Sequence, residues 1–251
     1  MLLMLNVHPS RFGTLCGPEK LSVDPYVPTT PYVDSFGNTC GRIVASAGQI
    51  RFRNDAVVYD NGRPDEFDPS ARQYLIDELP TDALQFLLAS RYCEVDLLKD
   101  IAWELFGDAG LGYERVQAIC AWVHENVKFG YAFASSTKSA HDVYLERKGV
   151  CRDFTHLAIA FCRCLNIPAR YATGYLGEIG VPPAPPGDFS AWFEVYLGGQ
   201  WWTRDARHNA RRIGRVLMAR GRDAADVALT TAFGSAELKQ FEVWTDEVQT
   251  Y

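Results

Sequence analysis

Residues 151–175 constrain the fold more than any other segment, because both ends of one element are marked within it. After Cys151, residues 153–165 carry apolar side chains at helical spacing, namely Phe154, Leu157, Ala158 and Phe161. Pro168 follows about one turn after Leu165, where it cannot continue a helix and forces the preceding residue to extend. Residues 169–175 then read as a strand. The segment therefore predicts a helix that leads directly into a sheet.

A second strand pair is indicated by the two glycines at 198 and 199, which separate residues 191–197 from residues 200–205. A Gly-Gly pair tolerates the positive φ angles of a two-residue hairpin turn. If Leu197 pairs with Gln200, strand periodicity places four side chains on one face. These are Ser190 opposite Arg207 and Trp192 opposite Asp205. Residues 180–187, which are rich in proline, predict a surface loop that lies over a cleft.

Cys151 stands at the predicted start of the helix, in the run Gly149-Val150-Cys151-Arg152-Asp153. The positive end of the helix dipole and the unpaired N–H groups there favour thiolate over thiol. We therefore predict that the sulfur is held ionised and acts as a nucleophile. The alternative is a buried cysteine that packs as a small hydrophobic side chain.

Three motifs together carry a family resemblance. They are Gly149-Val150-Cys151-x-Asp153, then Asn166-Ile167-Pro168-Ala169-Arg170-Tyr171-x-x-Gly174-Tyr175, then Ala191-Trp192-x-Glu194-Val195-Tyr196-Leu197 followed by Asp205. Residues 110–210 resemble the bacterial transglutaminase-like superfamily of cysteine proteases. The resemblance implies an α+β fold with a papain-like transglutaminase core, in which a helix bearing Cys packs on an antiparallel sheet after a small β-rich N-terminal region. It also implies that Cys151 is the nucleophile and that Asp205 orients the catalytic histidine.

The position of that histidine differs in this chain, because Ser190 stands where the family has the His of a His-Ala-Trp motif. A serine hydroxyl is not a base near neutral pH, whereas imidazole titrates there. Three interpretations stay open: another histidine substitutes, the thiolate works without a base, or the protein is a catalytically silent relative.

The five histidines differ in their suitability as the base. His8, His124 and His141 are predicted to be structural or surface groups. His156 lies five residues after Cys151, about 500° around the helix, so the two side chains point well apart. His208 follows Asp205 by three residues and is the candidate base, although strict alternation places it on the opposite face.

Substrate contacts are predicted from the same shared face. Arg207 would lie beside Ser190 and present a planar fork to a substrate carboxylate, and Trp192 would form a wall of the cleft. The arginines of residues 211–215 and 220–222 are predicted to form surface ion pairs of little energetic value, with an anchor for a substrate carboxylate as the alternative. The expected partner is a peptide or a small amide or carboxylate. Three functions remain: acyl transfer or amide hydrolysis, binding without turnover, and a non-hydrolytic isomerase or lyase step.

Length and composition bound the class of protein. With 251 residues, 47% of them hydrophobic, the chain predicts two units: a β-rich N-terminal domain, 1–75, and the core domain, 76–251. Helices are predicted at 82–88, 96–106 and 113–127. Strands are predicted at 42–45, 49–53 and 56–59, and at 227–233 and 241–245 near the C-terminus.

Charge and cysteine content predict the compartment and exclude some partners. A net charge of −6 argues against nucleic acid or an anionic membrane as partner. Seven cysteines without a Cys-x-x-Cys motif predict reduced thiols in the cytoplasm and neither a metal site nor a cofactor. No apolar run approaches the roughly 20 residues of a transmembrane helix. The sequence does not indicate the oligomeric state.

Overall fold

The helix that begins at Cys151 is the centre of the molecule. The computed structural model describes residues 1–182 and 189–248. In it α5 spans Cys151–Cys164, and every residue from Asp153 to Cys164 is buried. Two short parallel strands lead up to it, β6 (Lys128–Phe129) and β7 (Lys148–Gly149). The predicted helix and its start are confirmed.

An antiparallel sheet of four strands lies against α5, in the order β10-β9-β8-β11. Its strands are β8 (Ala169–Leu176), β9 (Phe189–Leu197), β10 (Gln200–Arg204) and β11 (Arg215–Gly221). Leu197 pairs with Gln200, as predicted for the hairpin. Phe193 and Val195 belong to the same core cluster as α5, whereas Trp192 packs with Ala172 and Leu217 in a separate cluster. The predicted α+β core, a helix bearing Cys on an antiparallel sheet, is therefore correct.

Within the described residues there are four further α-helices. They are α1 (Thr81–Leu84), α2 (Val95–Phe106), α3 (Tyr113–Asn126) and α4 (Ala140–Glu146). Of these, α2, α3 and α4 pack against α5. At the centre of their packing, the ring of Phe161 lies 5.3 Å from that of Phe106 and 5.6 Å from that of Trp122. The helix predicted over 82–88 is divided, because a 3-10 turn at Gln85–Leu87 follows α1.

A second sheet contains most of the N-terminal strands, in the order β12-β1-β4-β3. Its strands are β1 (Leu2–Leu3), β3 (Thr30–Val33), β4 (Thr39–Arg42) and, from the C-terminal part, β12 (Thr230–Thr231). A separate pair is formed by β2 (Ser22–Asp24) and β5 (Arg51–Arg53). The β-rich character of this region was predicted. The domain boundary near residue 75 stays a prediction.

Two of the predicted strands do not form within the described residues, and a third, 42–45, is displaced to Thr39–Arg42. Residues 56–59 contribute a single bridge, between Val58 and Leu15, and residues 241–245 are not assigned to a strand. Alternation of apolar residues was a poor guide there because the side chains of Phe241 and Trp244 are half exposed. The proline-rich loop predicted over 180–187 lies for the most part outside the described residues, which resume at 189. Of the helices described, none has the length and apolar character required to cross a membrane.

Candidate functional site

Cys151 is placed by a compact turn at the start of α5. The Asp153 carboxylate accepts the N–H of Val150 at 2.9 Å and thereby caps the helix. A Cβ on Gly149 would lie 2.6 Å from the Cβ of Asp153, so only glycine fits this approach. The Thr155 hydroxyl donates to the Cys151 carbonyl at 2.9 Å. The spacing of the Gly-Val-Cys-x-Asp motif is thus a requirement of this turn.

The Cys151 thiol has a raised pKa. Burial raises the pKa, while the backbone N–H groups of Ala191 and Arg152 and the charge of Arg207 lower it, and burial outweighs them. The prediction of a sulfur held ionised at the helix end is therefore wrong. A helix dipole is worth at most about 2 kcal/mol, whereas desolvation of a buried charge shifts a pKa by several units.

The chain turns directly after β10. The ladder with β9 ends where Arg204 pairs with Phe193, so the predicted extension that places Trp192 opposite Asp205 and Ser190 opposite Arg207 does not form. The Asp205 carboxylate instead accepts the N–H groups of Arg207 and of His208, both at 3.0 Å. Such side-chain-to-backbone bonds favour a turn over a strand.

His208 is brought to Asp205 by this turn. Its Nδ1 lies 2.8 Å from Asp205 Oδ2, although strict strand alternation had placed it on the opposite face. An imidazole whose Nδ1–H donates to a carboxylate keeps Nε2 as the acceptor. Burial raises the pKa of Asp205, but the charge of Arg215 and the hydrogen bonds from His208 outweigh it and hold the pKa well below its usual range. Asp205 is thus a carboxylate suited to orient His208.

Helix α3 supports the turn from outside. His124 donates its Nδ1–H to the Arg207 carbonyl at 2.8 Å, and Gln117 donates to the Asn209 side chain at 3.0 Å. The Arg207 guanidinium lies 3.9 Å from the centre of the ring of Phe129. Phe129 belongs to β6, the strand that pairs with β7. Arg207 and Asp205 both affect the pKa of Cys151. Charged groups of the turn at residues 205–208 therefore act on the sulfur of Cys151.

Ser190 and Trp192, predicted to line the cleft, are 1% and 2% exposed. The Ser190 carbonyl accepts the hydroxyl of Thr173 at 2.9 Å, and the Arg215 guanidinium lies over the Trp192 ring at 4.9 Å. This burial favours a packing role for both residues over contact with substrate.

His156 lies in the core, in agreement with the prediction that its side chain points away from Cys151. Its ring stacks on Tyr92 at 5.0 Å and its Nε2 accepts the N–H of Ala224 at 3.1 Å. Burial lowers its pKa well below the usual range. Tyr171, whose ring lies 5.2 Å from that of His156, has a pKa raised by burial and by Cys151. Tyr171 belongs to the Ala-Arg-Tyr motif but was not predicted to be a site residue.

Arg215 and Asp65 were also missed as site residues. The arginines after Asp205 were predicted to be surface ion pairs, but the Arg215 side chain is 7% exposed and bonds to Asp205 and to Asp65. Arg215 begins strand β11, and recognising that strand could have indicated that the Arg215 side chain is buried. Nothing near Asp65 in the sequence indicated a role. Among residues 1–182 and 189–248, no group of three or more His, Cys, Asp or Glu side chains could hold a metal ion.

Comparisons with known proteins agree with the fold. Residues 99–206 match the family model of the transglutaminase-like superfamily. The crystal structure of a protein from Cytophaga hutchinsonii, provisionally named a cysteine protease, is similar with a TM-score of 0.76. It is 32% identical, and the match covers 98% of this chain and 88% of that chain.

Two mycobacterial proteins, both described as uncharacterised, are also similar. The one from Mycobacterium leprae (strain TN) is 30% identical over 119 residues, 46% of this chain and 42% of the relative. The one from Mycobacterium tuberculosis (strain ATCC 25618 / H37Rv) is 29% identical over 180 residues, 62% of this chain and 50% of the relative. The match with this chain thus spans about half or less of the length of these relatives.

Proposed function

Because the chain belongs to the transglutaminase-like superfamily, we propose that it catalyses acyl transfer or amide hydrolysis through Cys151. His208 is the general base, and Asp205 orients it. The observation that carries the proposal is the 2.8 Å contact between His208 Nδ1 and Asp205 Oδ2, in a turn whose charges reach the cysteine. Cysteine nucleophiles that use an oriented imidazole have this combination of groups.

The proposed reaction begins with a protonated thiol. His208 Nε2 accepts the proton from Cys151 as the sulfur attacks the carbonyl carbon of an amide, and a thioester forms when the imidazolium returns that proton to the leaving amine. Water or a second amine then releases the acyl group. Backbone N–H groups in the first turn of α5 stabilise the oxyanion, since the N-terminus of a helix favours negative charge. The substrate is a peptide or a small amide, and Arg207 would attract its carboxylate.

The test uses fluorescein-labelled casein, with and without monodansylcadaverine as an amine acceptor. We expect peptide release or amine incorporation that is lost in Cys151→Ala and falls by about 10²–10⁴ in His208→Gln. His141→Gln, the same substitution on α4, is the matched control. A product formed equally well by Cys151→Ala would refute the proposal, and full activity of His208→Gln would refute the assignment of the base.

A second candidate is a silent relative that binds a peptide or small carboxylate without turnover. The raised pKa of Cys151 favours it, because a protonated thiol is a weak nucleophile. Binding of a peptide mixture that is unchanged by Cys151→Ala, with no product in either protein, would favour this candidate. Cytoplasmic location remains part of either proposal.

A further inference from the structure

Arg215 connects the Asp205–His208 pair to a distant part of the chain. Its Nη2 donates to Asp205 Oδ2 at 2.8 Å, and its Nε donates to the two carboxylate oxygens of Asp65 at 3.1 and 2.9 Å. Asp65 precedes Arg215 by 150 residues. It is held a second time by the backbone N–H of Arg212 at 2.9 Å. Asp65, Arg215, Asp205 and His208 thus form one continuous hydrogen-bonded series.

The series has a shared atom at its centre. Asp205 Oδ2 accepts both the Nδ1–H of His208 and the Nη2–H of Arg215, each at 2.8 Å. A carboxylate beside an imidazole favours the imidazolium and makes the ring a stronger base. A guanidinium on the same oxygen opposes this effect, because it offsets the carboxylate charge. The second carboxylate, that of Asp65, offsets part of the guanidinium charge. It therefore reduces the effect of Arg215 on the basicity of the imidazole.

The geometry fixes Arg215 in place. The side chains of Arg215 and Asp65 are 7% and 12% exposed, and the Trp192 ring lies under the guanidinium. A planar fork is required to reach two carboxylates from one side chain, and a lysine ammonium cannot reproduce it. Among the described residues the buried Nη1 of Arg215 has no hydrogen-bond partner, and the guanidinium is oriented by its two acids and by Trp192.

Other charged groups surround this hydrogen-bonded series, and they are left unchanged in the substitutions described below. Arg207 and Arg212 lie on the same loop as His208, Glu178 follows β8, and His124 reaches the turn from α3. The Cys151 thiol, at the start of α5, is affected by the charges of Arg207 and Asp205.

We propose that Arg215 is a positioning residue which aims His208 through Asp205 and limits the basicity that Asp205 gives to the imidazole, with Asp65 setting the strength of that limit. This inference rests on the proposed function for its catalytic meaning. Its physical content is a coupling between an N-terminal carboxylate and the protonation of His208. The basicity of His208 then depends on a residue of the predicted N-terminal domain, 1–75, which lies outside the core domain predicted over 76–251.

The primary test is Asp65→Asn, because its amide oxygen can still accept from Arg212 and Arg215 and the fold should persist. Removal of the negative charge leaves the positive charge of Arg215 less offset, so we expect the ring-proton titration of His208 to move to lower pH than in the unsubstituted protein. The measurement is an NMR titration of the ring protons in the full chain, with the His208 signal assigned from its absence in His208→Gln.

Asp55→Asn is the matched control, since Asp55 forms an exposed ion pair with Arg53 at 2.7 Å. No shift in Asp65→Asn, or an equal shift in Asp55→Asn, would overturn the inference. Arg215→Lys supplies a second readout: we expect a reduced kcat with little change in KM, because the charge stays but the fork that aims His208 through Asp205 is lost. An unchanged kcat in a folded Arg215→Lys would also overturn it.

The titration separates this inference from the proposed function. If the His208 signal shifts in Asp65→Asn while the protein forms no product from casein, the coupling stands and the proposed reaction fails. If product forms but neither the titration nor the acid limb of kcat/KM moves in Asp65→Asn, the reaction stands and the coupling fails.

Discussion

Substitution of Asp205 by asparagine should destabilise the protein strongly, since this carboxylate accepts four hydrogen bonds. Two come from the backbone N–H groups of Arg207 and His208, and two from the side chains of His208 and Arg215. An asparagine oxygen at the Oδ1 position can keep the backbone pair. Its amide group at the Oδ2 position then faces the Arg215 guanidinium, which can only donate, so that bond is lost, whereas neutral His208 can change tautomer and accept the amide N–H at Nδ1.

The magnitude follows from the kind of bond that is lost. A hydrogen bond to a charged group contributes about 1.5–3 kcal/mol, and the bond from Arg215 to Asp205 is of this kind. Arg215 keeps its ion pair with Asp65, which prevents an unpaired buried charge. We therefore expect a loss of about 1.5–3 kcal/mol in the free energy of unfolding.

The assay is equilibrium unfolding in urea at pH 7, followed by tryptophan fluorescence. Asp108→Asn, an exposed position, serves as the control and should change the free energy by less than about 0.5 kcal/mol. The pKa of Asp205 is lowered in the folded state, so its stabilisation is complete above the unfolded pKa of about 3.9 and is lost as the pH falls below it. A loss under about 1 kcal/mol at pH 7 would show that the carboxylate does not organise the turn.

Three further substitutions test the packing and the buried charge. Phe161→Ala should cost about 3–5 kcal/mol, because Phe161 is fully buried; thermal unfolding measures it, and a loss no larger than in exposed Leu145→Ala would contradict the described core. Glu194→Gln should cost about 3–5 kcal/mol at pH 7, since Glu194 bonds to Arg170 and Arg220 at 2.6 and 2.8 Å. Burial raises the pKa of Glu194, but the two arginines outweigh burial and lower the pKa overall. The difference in unfolding free energy between Glu194→Gln and the unsubstituted protein, measured in urea, should therefore shrink as the pH falls below about 4.3. A difference that does not change with pH would refute this. Ser190→His should cost about 1–3 kcal/mol through overpacking and add no activity on casein, and a gain would place the base at 190.

The sequence predicted those parts of the site that local patterns determine. The start of α5 at Cys151 and the turn at Gly198 and Gly199 both follow from short-range rules, and both are present. The turn at Asp205 was missed because the Asp205 side chain accepts backbone N–H groups two and three residues later, which ends the strand. The side chain of His208 had been placed by the alternation of faces along a strand, a rule that does not hold in such a turn. The contact of Asp65 with Arg215 spans 150 residues and leaves no local signal. The ionisation of Cys151 was predicted wrongly because burial is a property of the assembled fold.

The raised pKa of Cys151 and the Asp205–His208 pair are best understood together. A thiol ionised by the helix end would have no proton for a base to remove; burial acts in the opposite direction and raises the pKa of Cys151, so attack calls for a group that removes the proton. Alkylation by iodoacetamide reports the thiolate, so its rate should rise with a midpoint above the ordinary value of about 8.5. Turnover should rise at lower pH, because imidazole titrates near neutrality. Coincident curves for alkylation and turnover would mean that the thiolate forms on its own, and His208 would lose its assigned role.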